Sequence, residues 1–271
     1  MGEIVIRTSI VPGGIVTQGF QQPNTVRVLV NVKAFLQGPY NPGSGAMNDG
    51  LRTNGLIPTT EPYTALGYSF IGGGGESTTQ AILDFPGSNA IIDWVLLELR
   101  DRNDNTNVLH SRSALLQADG DIVAMDGFSP VDFPLGADDY YLAVLHRNHL
   151  AVVSLSPIAL SRTATTVDLS DGSTPTYGSN AQQVLAGTYL LWAGDVNSDG
   201  TIKYTGSSND RDPILSAIGG TVPTNTVTGY RAEDVNMDGT TKYSGAGNDR
   251  DIILQNIGGV VPTNTRVEQV P

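Results

Sequence analysis

The chain has no cysteine among its 271 residues. Disulfide stapling is therefore excluded, and with it any thiolate nucleophile or thiolate metal site. No stretch approaches 18 consecutive apolar residues, so the sequence offers no helix able to cross a membrane. Charge is sparse and lopsided: 15% of residues are charged, 15 Lys and Arg stand against 27 Asp and Glu, and the formal net charge is −12. With no basic stripe and an acidic surface that repels phosphate, nucleic acid is not expected as a partner. The sequence also lacks Gly-x-Ser-x-Gly, His-Glu-x-x-His and a phosphate-binding loop, the signatures of common hydrolases and nucleotide enzymes. It has no Asn-x-Ser/Thr acceptor for N-linked sugar.

What is abundant is turn chemistry: 32 Gly and 15 Pro, which with the low charge suggest a turn-rich, mainly β protein. Residues 26–36 alternate apolar and polar with period two, the pattern of a half-buried strand. Further strands are expected at 64–71, 78–84, 90–100, 108–117, 121–125, 139–147 and 150–155, and short strands between Gly, Asn, Asp and Pro turns read as a β-sandwich, Ig-like or jelly-roll-like. Residues 38–62, rich in Gly, Asn and Pro, are expected as a structured surface loop with an interaction role. A shift to Ser, Thr, Asp, Gly and Pro places a linker at 171–185, between a sandwich at 13–170 and a small C-terminal domain at 186–271. The apolar strand 188–193 leads into that domain.

Residues 195–226 and 234–265 repeat one another. Asp195-Val-Asn197-Ser-Asp199-Gly200 returns 39 positions later as Asp234-Val-Asn236-Met-Asp238-Gly239. Each copy runs on through Lys-Tyr, a Gly/Ser-rich stretch, Asn-Asp-Arg-Asp, an Ile-Leu pair and Ile-Gly-Gly. Oxygen side chains at alternate positions followed by Gly suit a hard cation, calcium above all, because the Gly permits the turn that wraps the loop. The twelfth loop position falls on Gly206 and Gly245, which have no side chain, so about six residues, 203–208 in the first copy, are expected to loop out. The ligands of the first site are then Asp195, Asn197, Asp199, the main-chain carbonyl of Thr201, Asn209 and Asp212. Those of the second are Asp234, Asn236, Asp238, the carbonyl of Thr240, Asn248 and Asp251. Asp210 and Asp249 are adjacent alternatives, one residue of register away. A short helix closed by Gly219-Gly220 should follow the first site.

These residues resemble the paired calcium loop-helix repeats of dockerins, in the variant found at the C-terminal end of large secreted proteins of Bacteroidota-type bacteria. The resemblance covers about 75 residues and implies two bound Ca²⁺ and a pseudo-two-fold pair of loop-helix units. Cohesin binding does not carry over, because the inserted residues alter the surface beside the helices. Upstream, Leu51-Arg-Thr-Asn54, Ile57-Pro-Thr-Thr-Glu-Pro-Tyr63, Asp93-Trp-Val95, Glu98-Leu-Arg-Asp101, Arg112-Ser-Ala-Leu-Leu-Gln117 and His146-Arg-Asn-His-Leu150 resemble a non-enzymatic module that precedes such repeats. The family is exported and the sequence opens without a positively charged, apolar leader, so the chain is expected to be a mature form or one whose leader is missing.

Glu3-Ile-Val-Ile-Arg-Thr-Ser-Ile-Val11 is a nine-residue strand bounded by Pro12-Gly13-Gly14. It either pairs within its own domain or, with Ile4, Val5, Ile6 and Ile10 as its contacts, completes the sheet of a neighbouring copy, and head-to-tail donation of that kind makes fibres. As enzyme candidates, His146 and His149 with Asp138 and Asp139 stand first, but three residues apart on one strand the imidazoles would face opposite ways unless the strand is bulged. Asp93 and Glu98 likewise face apart, and Trp94, Tyr140 and Tyr141 are expected in the core rather than as a sugar platform. The expectation is therefore a secreted, calcium-binding structural protein of the bacterial surface or matrix, without catalytic residues, whose partner is itself in head-to-tail filaments. Cell-surface glycans or another secreted protein are further partners. The alternative is a C-terminal accessory module anchoring a larger protein by binding carbohydrate or a cohesin-like partner.

Overall fold

The structure is a computed structural model and describes residues 26–271. The proposed N-terminal strand, with Ile4, Val5, Ile6 and Ile10, lies outside the described residues. Val28–Lys33 forms as its alternation dictates: Val28, Val30 and Val32 are buried, Asn31 is exposed, and Leu29 and Lys33 are half-buried. Ile91–Asp101 becomes the central strand, with its first ten residues buried, the charged Asp93, Glu98 and Arg100 among them. A strand covered on both faces needs no alternation, and here Ile91-Ile92 and Trp94-Val95-Leu96-Leu97 are apolar at consecutive positions. It pairs antiparallel with Asp104–Gln117 on one side and Asp138–His146 on the other.

These strands belong to one nine-stranded sheet. From Asp104–Gln117 the pairing passes to Asp121–Val123, then to Val28–Lys33, then in parallel to Thr165–Asp168. The same crossing segment pairs through Ile158–Leu160 with Asp138–Tyr140, and Ser161 bridges Leu29. Hydrogen bonding therefore returns to its starting strand, and the sheet rolls on itself around a core that holds Trp94, Phe133, Leu97 and Leu99. Trp94 is wholly buried, its indole N–H donating to the Pro58 carbonyl. Tyr140 is buried at the margin. Among the described residues no helix is long and apolar enough to cross a membrane.

Two expected strands are corrected. Residues 64–71 form turns rather than a strand, because the buried Glu61 carboxylate captures both the main-chain N–H and the hydroxyl of Thr64, and Tyr68 N–H then folds back to Tyr63 O at 3.0 Å. Residues 78–84 instead carry the single helical turn Gln80–Leu83, capped by the Thr79 side chain and burying only Leu83. Residues 38–62 are less superficial than a loop reading suggests. They hold a small hairpin, Tyr40–Asn41 with Ala46–Met47, and a helical turn, Gly50–Thr53, whose Leu51 is buried. The stretch 171–185 is fastened to the body: Gln182–Leu185 pairs with Thr188–Leu191, which pairs in parallel with Phe35–Leu36, and buried Gln182 donates to Leu169 O at 2.9 Å.

The duplicated region has its own small core of Val196, Ile202, Ile214, Val235, Ile253 and Ile257, joined by Leu150 and Ala193. Its halves exchange strands. Thr201–Lys203 of the first copy pairs with Thr265–Val267, which trails the second, while Thr240–Lys242 pairs with Thr226–Thr228, which trails the first. The helices Arg211–Ala217 and Asp249–Asn256 follow the Asn-Asp-Arg-Asp motifs. Since each copy completes the other's ladder, neither has a full set of main-chain partners alone.

Candidate cation-binding loops

Asp195 opens the first loop, four residues beyond the strand Thr188–Leu191. Its Oδ1 accepts the Asp199 N–H at 3.1 Å and its Oδ2 the Gly200 N–H at 3.1 Å. Asn197 Oδ1 accepts Asp199 N–H at 2.9 Å, and Asp199 Oδ1 accepts Thr201 N–H at 3.0 Å. The second loop repeats each contact from Asp234, Asn236 and Asp238, at 3.1, 2.8, 2.9 and 2.8 Å. Gly200 and Gly239 take φ of +75° and +90°, the left-handed turn that wraps the chain round its own carboxylates. At Gly239 a Cβ would also meet Leu56 at 2.9 Å. Thr201 and Thr240 each begin the short strand that follows.

After the inserted stretch, Asn209 and Asp212 hold each other at the head of a helix. Asn209 Oδ1 accepts the Asp212 N–H at 2.9 Å while Asn209 Nδ2 donates to Asp212 Oδ2 at 2.8 Å. Asn248 and Asp251 do the same at 3.0 and 2.8 Å. In the second copy Asn248 is the N-cap of its helix, while in the first the N-cap position falls on Asp210. Asp212 and Asp251 lie near solvent, each paired with the Arg just before it. The adjacent carboxylates are different in kind. Asp210 is wholly buried, and its two oxygens accept the main-chain amides of Val196, Asn197 and Lys203. Asp249 accepts those of Val235, Asn236 and Lys242. Each therefore ties the start of its loop to the strand beyond it.

Burial pushes Asp195 and Asp234 up to about 6, and Asp210 and Asp249 up to about 7, since main-chain amides offset only part of the lost hydration. None of the four has an ion pair among the described residues. Buried negative charge of this kind, on hard oxygen donors, fits an oxygen-liganded divalent cation. Among the described residues no three His, Cys, Asp or Glu side chains converge on one point. The donor set proposed for each loop draws also on an amide oxygen and a main-chain carbonyl.

The loops differ in how they meet the body. Met237 has carried its side chain into the main core, where it is 2% exposed. Its counterpart Ser198 instead donates to Arg147 O at 3.1 Å. Asn148 Nδ2 donates to the carbonyls of Ala232 and Asp234, both at 2.9 Å, and Asn54 Nδ2 to Asp238 O at 3.2 Å. A side chain at Gly38 would collide with the Val235 carbonyl at 2.1 Å. The one position of the D-x-N-x-D-G motif at which the copies differ in character, Ser against Met, was the available signal for this asymmetry.

His146 and His149 do not lie along one strand. They face each other across the tight turn Arg147-Asn148, with ring centroids 4.8 Å apart and Nδ1 to Nδ1 at 3.0 Å. His149 Nε2 accepts the Gly38 N–H at 3.1 Å, so His149 carries its proton on Nδ1. Burial lowers the pKa of both rings and keeps them neutral. Asp93 is wholly buried beside them, taking the Arg147 guanidinium and the Tyr230 hydroxyl, and His146 Nε2 lies 3.0 Å away. Glu98, on the same strand as Asp93, pairs with Arg100 at 2.6 Å. Searches against family models, curated proteins and solved structures gave no match.

Proposed function

We propose that the chain is a calcium-stabilised structural protein of the cell surface or extracellular matrix, with a β-sandwich-like body, a small C-terminal domain of two loop-helix calcium repeats, and copies joined head to tail through Glu3–Val11. The observation that carries the calcium reading is the matched pair of loops, each with two buried carboxylates that form no ion pair among the described residues. The ion in the first loop would be held by Asp195, Asn197, Asp199 and the Thr201 carbonyl with Asn209 and Asp212, and in the second by the residues that repeat them. Calcium supplies the positive charge that lets these carboxylates ionise inside the fold. At a hundredfold excess over its Kd each ion would add about 2.7 kcal/mol of stability.

Chelation should act through pH in a definite direction. The four folded-state pKa values lie above the usual carboxylate range, so near pH 5 the calcium-free folded chain holds protons that the unfolded chain has released. Its stability should therefore fall as pH rises from 5 to 7. The His pair, whose folded-state pKa values are lowered, contributes in the opposite direction. The gap between melting temperatures in calcium and in chelator should widen over that range. A gap that is absent, with no calcium found by elemental analysis, removes the metal reading.

Filament formation rests on the β-branched sequence Glu3–Val11 and the Pro-Gly-Gly that follows it. Deleting residues 1–12 should give a folded, calcium-binding monomer, while the intact chain shows long polymers in negative-stain micrographs with calcium. A full-length chain that stays monomeric at high concentration speaks against donation. One feature favours the accessory-module reading: Phe85 and Phe128, 59% and 75% exposed, line a cavity of 430 Å³ together with Ile82, Ile91, Asn89 and Asp126. Exposed rings beside polar groups suit a sugar or an apolar peptide side chain.

A further inference from the structure

The two loops are copies in sequence but not in electrostatic surroundings. The residue after each exchanged strand closes on a loop glycine: Glu268 N–H donates to Gly200 O at 2.8 Å, and Gly229 N–H to Gly239 O at 3.2 Å. These positions are 39 residues apart and equivalent, yet only the first carries a side chain. Glu268 shares a cleft of 270 Å³ with Asp195 and Asp199. One of its oxygens accepts the Ala151 N–H at 2.7 Å, which fixes the carboxylate at that cleft. Its charge opposes that of Asp195 directly.

The second loop has the opposite neighbour. The buried Arg147 guanidinium attracts the Asp234 charge, and its Nε and Nη2 find no hydrogen-bond partner among the described residues. A cation arriving at the first loop meets one more carboxylate than the loop itself supplies. A cation arriving at the second meets the positive member of the buried Arg147–Asp93 pair.

We infer that Glu268 is an additional acidic group of the first calcium site, reaching it from outside the loop, and that it makes this site the tighter of the two. This rests on the calcium reading of the loops. Affinity of oxygen-donor loops follows the charge they assemble, and one added carboxylate at a partly buried site is worth on the order of tenfold.

Calorimetric titration of the full chain with calcium tests it. Two binding events are expected. Glu268→Gln, whose carbonyl can still accept the Ala151 amide, should weaken the tighter event by about tenfold and leave the weaker unchanged. Asp195→Ala should remove the event that Glu268→Gln alters, and Asp234→Ala should remove the other. Glu268→Asp, which keeps the charge, should retain most of the tight binding, and melting in chelator verifies that each variant is folded. Two wild-type events that Glu268→Gln leaves untouched, or a loss equally severe in Asp and Gln, overturn the role of Glu268 alone. A wild-type chain that takes up no calcium overturns the loop reading and this inference together.

Discussion

Replacing Asp249 with Ala should destabilise the calcium-free chain by about 3 kcal/mol, because three main-chain amides, the buried one of Val235 and the partly buried ones of Asn236 and Lys242, lose their acceptor at once. An unpaired buried amide costs about 1–3 kcal/mol, and the Asp249 side chain that serves these amides is wholly buried. Asp249→Asn should fall between, since one amide oxygen can still accept Val235 and Asn236 while its NH₂ faces the Lys242 donor. Asp251→Ala is the contrast. That side chain is half exposed and contributes a helix-start contact and a surface ion pair with Arg250, so in chelator its loss should cost below about 1 kcal/mol. With calcium the gap should narrow, because Asp251 as the closing ligand would forfeit the ion's contribution of about 2.7 kcal/mol. Urea unfolding of the three variants with and without chelator separates the roles. Equal damage from Asp249→Ala and Asp251→Ala in chelator would mean that Asp249 is not the clamp of the loop.

Such damage should not stay local. Met237 sits among the side chains of the main core, and Gly50 approaches Met237 and Asp238 so closely that a Cβ there would lie 3.0 Å from both. Asn148 holds the carbonyl of the first ligand of the second loop. Loosening that loop withdraws a core side chain from the body, so fluorescence of buried Trp94 and circular dichroism should report one common transition.

Local signals were readable where they are also decisive. The alternation expected over 26–36 became the strand Val28–Lys33, and the expected strand 90–100 became Ile91–Asp101. The duplicated motif announced its loops, since alternate oxygens and a glycine define that turn through short-range hydrogen bonds alone. Residues 64–71 misled because Leu66, Tyr68, Phe70 and Ile71 imitate a strand, while the feature that overrides them, the Glu61 carboxylate on Thr64, is a tertiary capture. The strand exchange between repeats joins segments more than sixty residues apart in one ladder, and no local pattern encodes it. His146 and His149 were separated by assuming one straight strand, whereas a tight turn between them brings the rings together.

The charge network that this turn creates supports the other large effect. Asp93 and Arg147 are both buried, and Asp93 also serves His146 and Tyr230. Burial alone would raise the Asp93 pKa, but the Arg147 charge and these hydrogen bonds outweigh it and hold the carboxyl below its usual range. Its contribution is therefore present at neutral pH and lost on acidification. Asp93→Ala leaves the guanidinium without its counter-charge, enclosed beneath the Tyr230 ring at 4.2 Å. Breaking a buried pair from one side costs about 3–5 kcal/mol, chiefly because the surviving charge cannot be hydrated. Removing both charges should cost less than removing one: Asp93→Ala combined with Arg147→Met should be more stable than Asp93→Ala alone, although Tyr230 and His146 still lose an acceptor. Denaturant unfolding in saturating calcium at neutral pH measures all three variants. A double variant no better than the single would show that the Asp93 oxygens act as hydrogen-bond acceptors for Tyr230 and His146, with the ion pair adding nothing. A wild-type midpoint for Asp93→Ala would show that water reaches the guanidinium and that the cluster between body and repeats is hydrated rather than sealed.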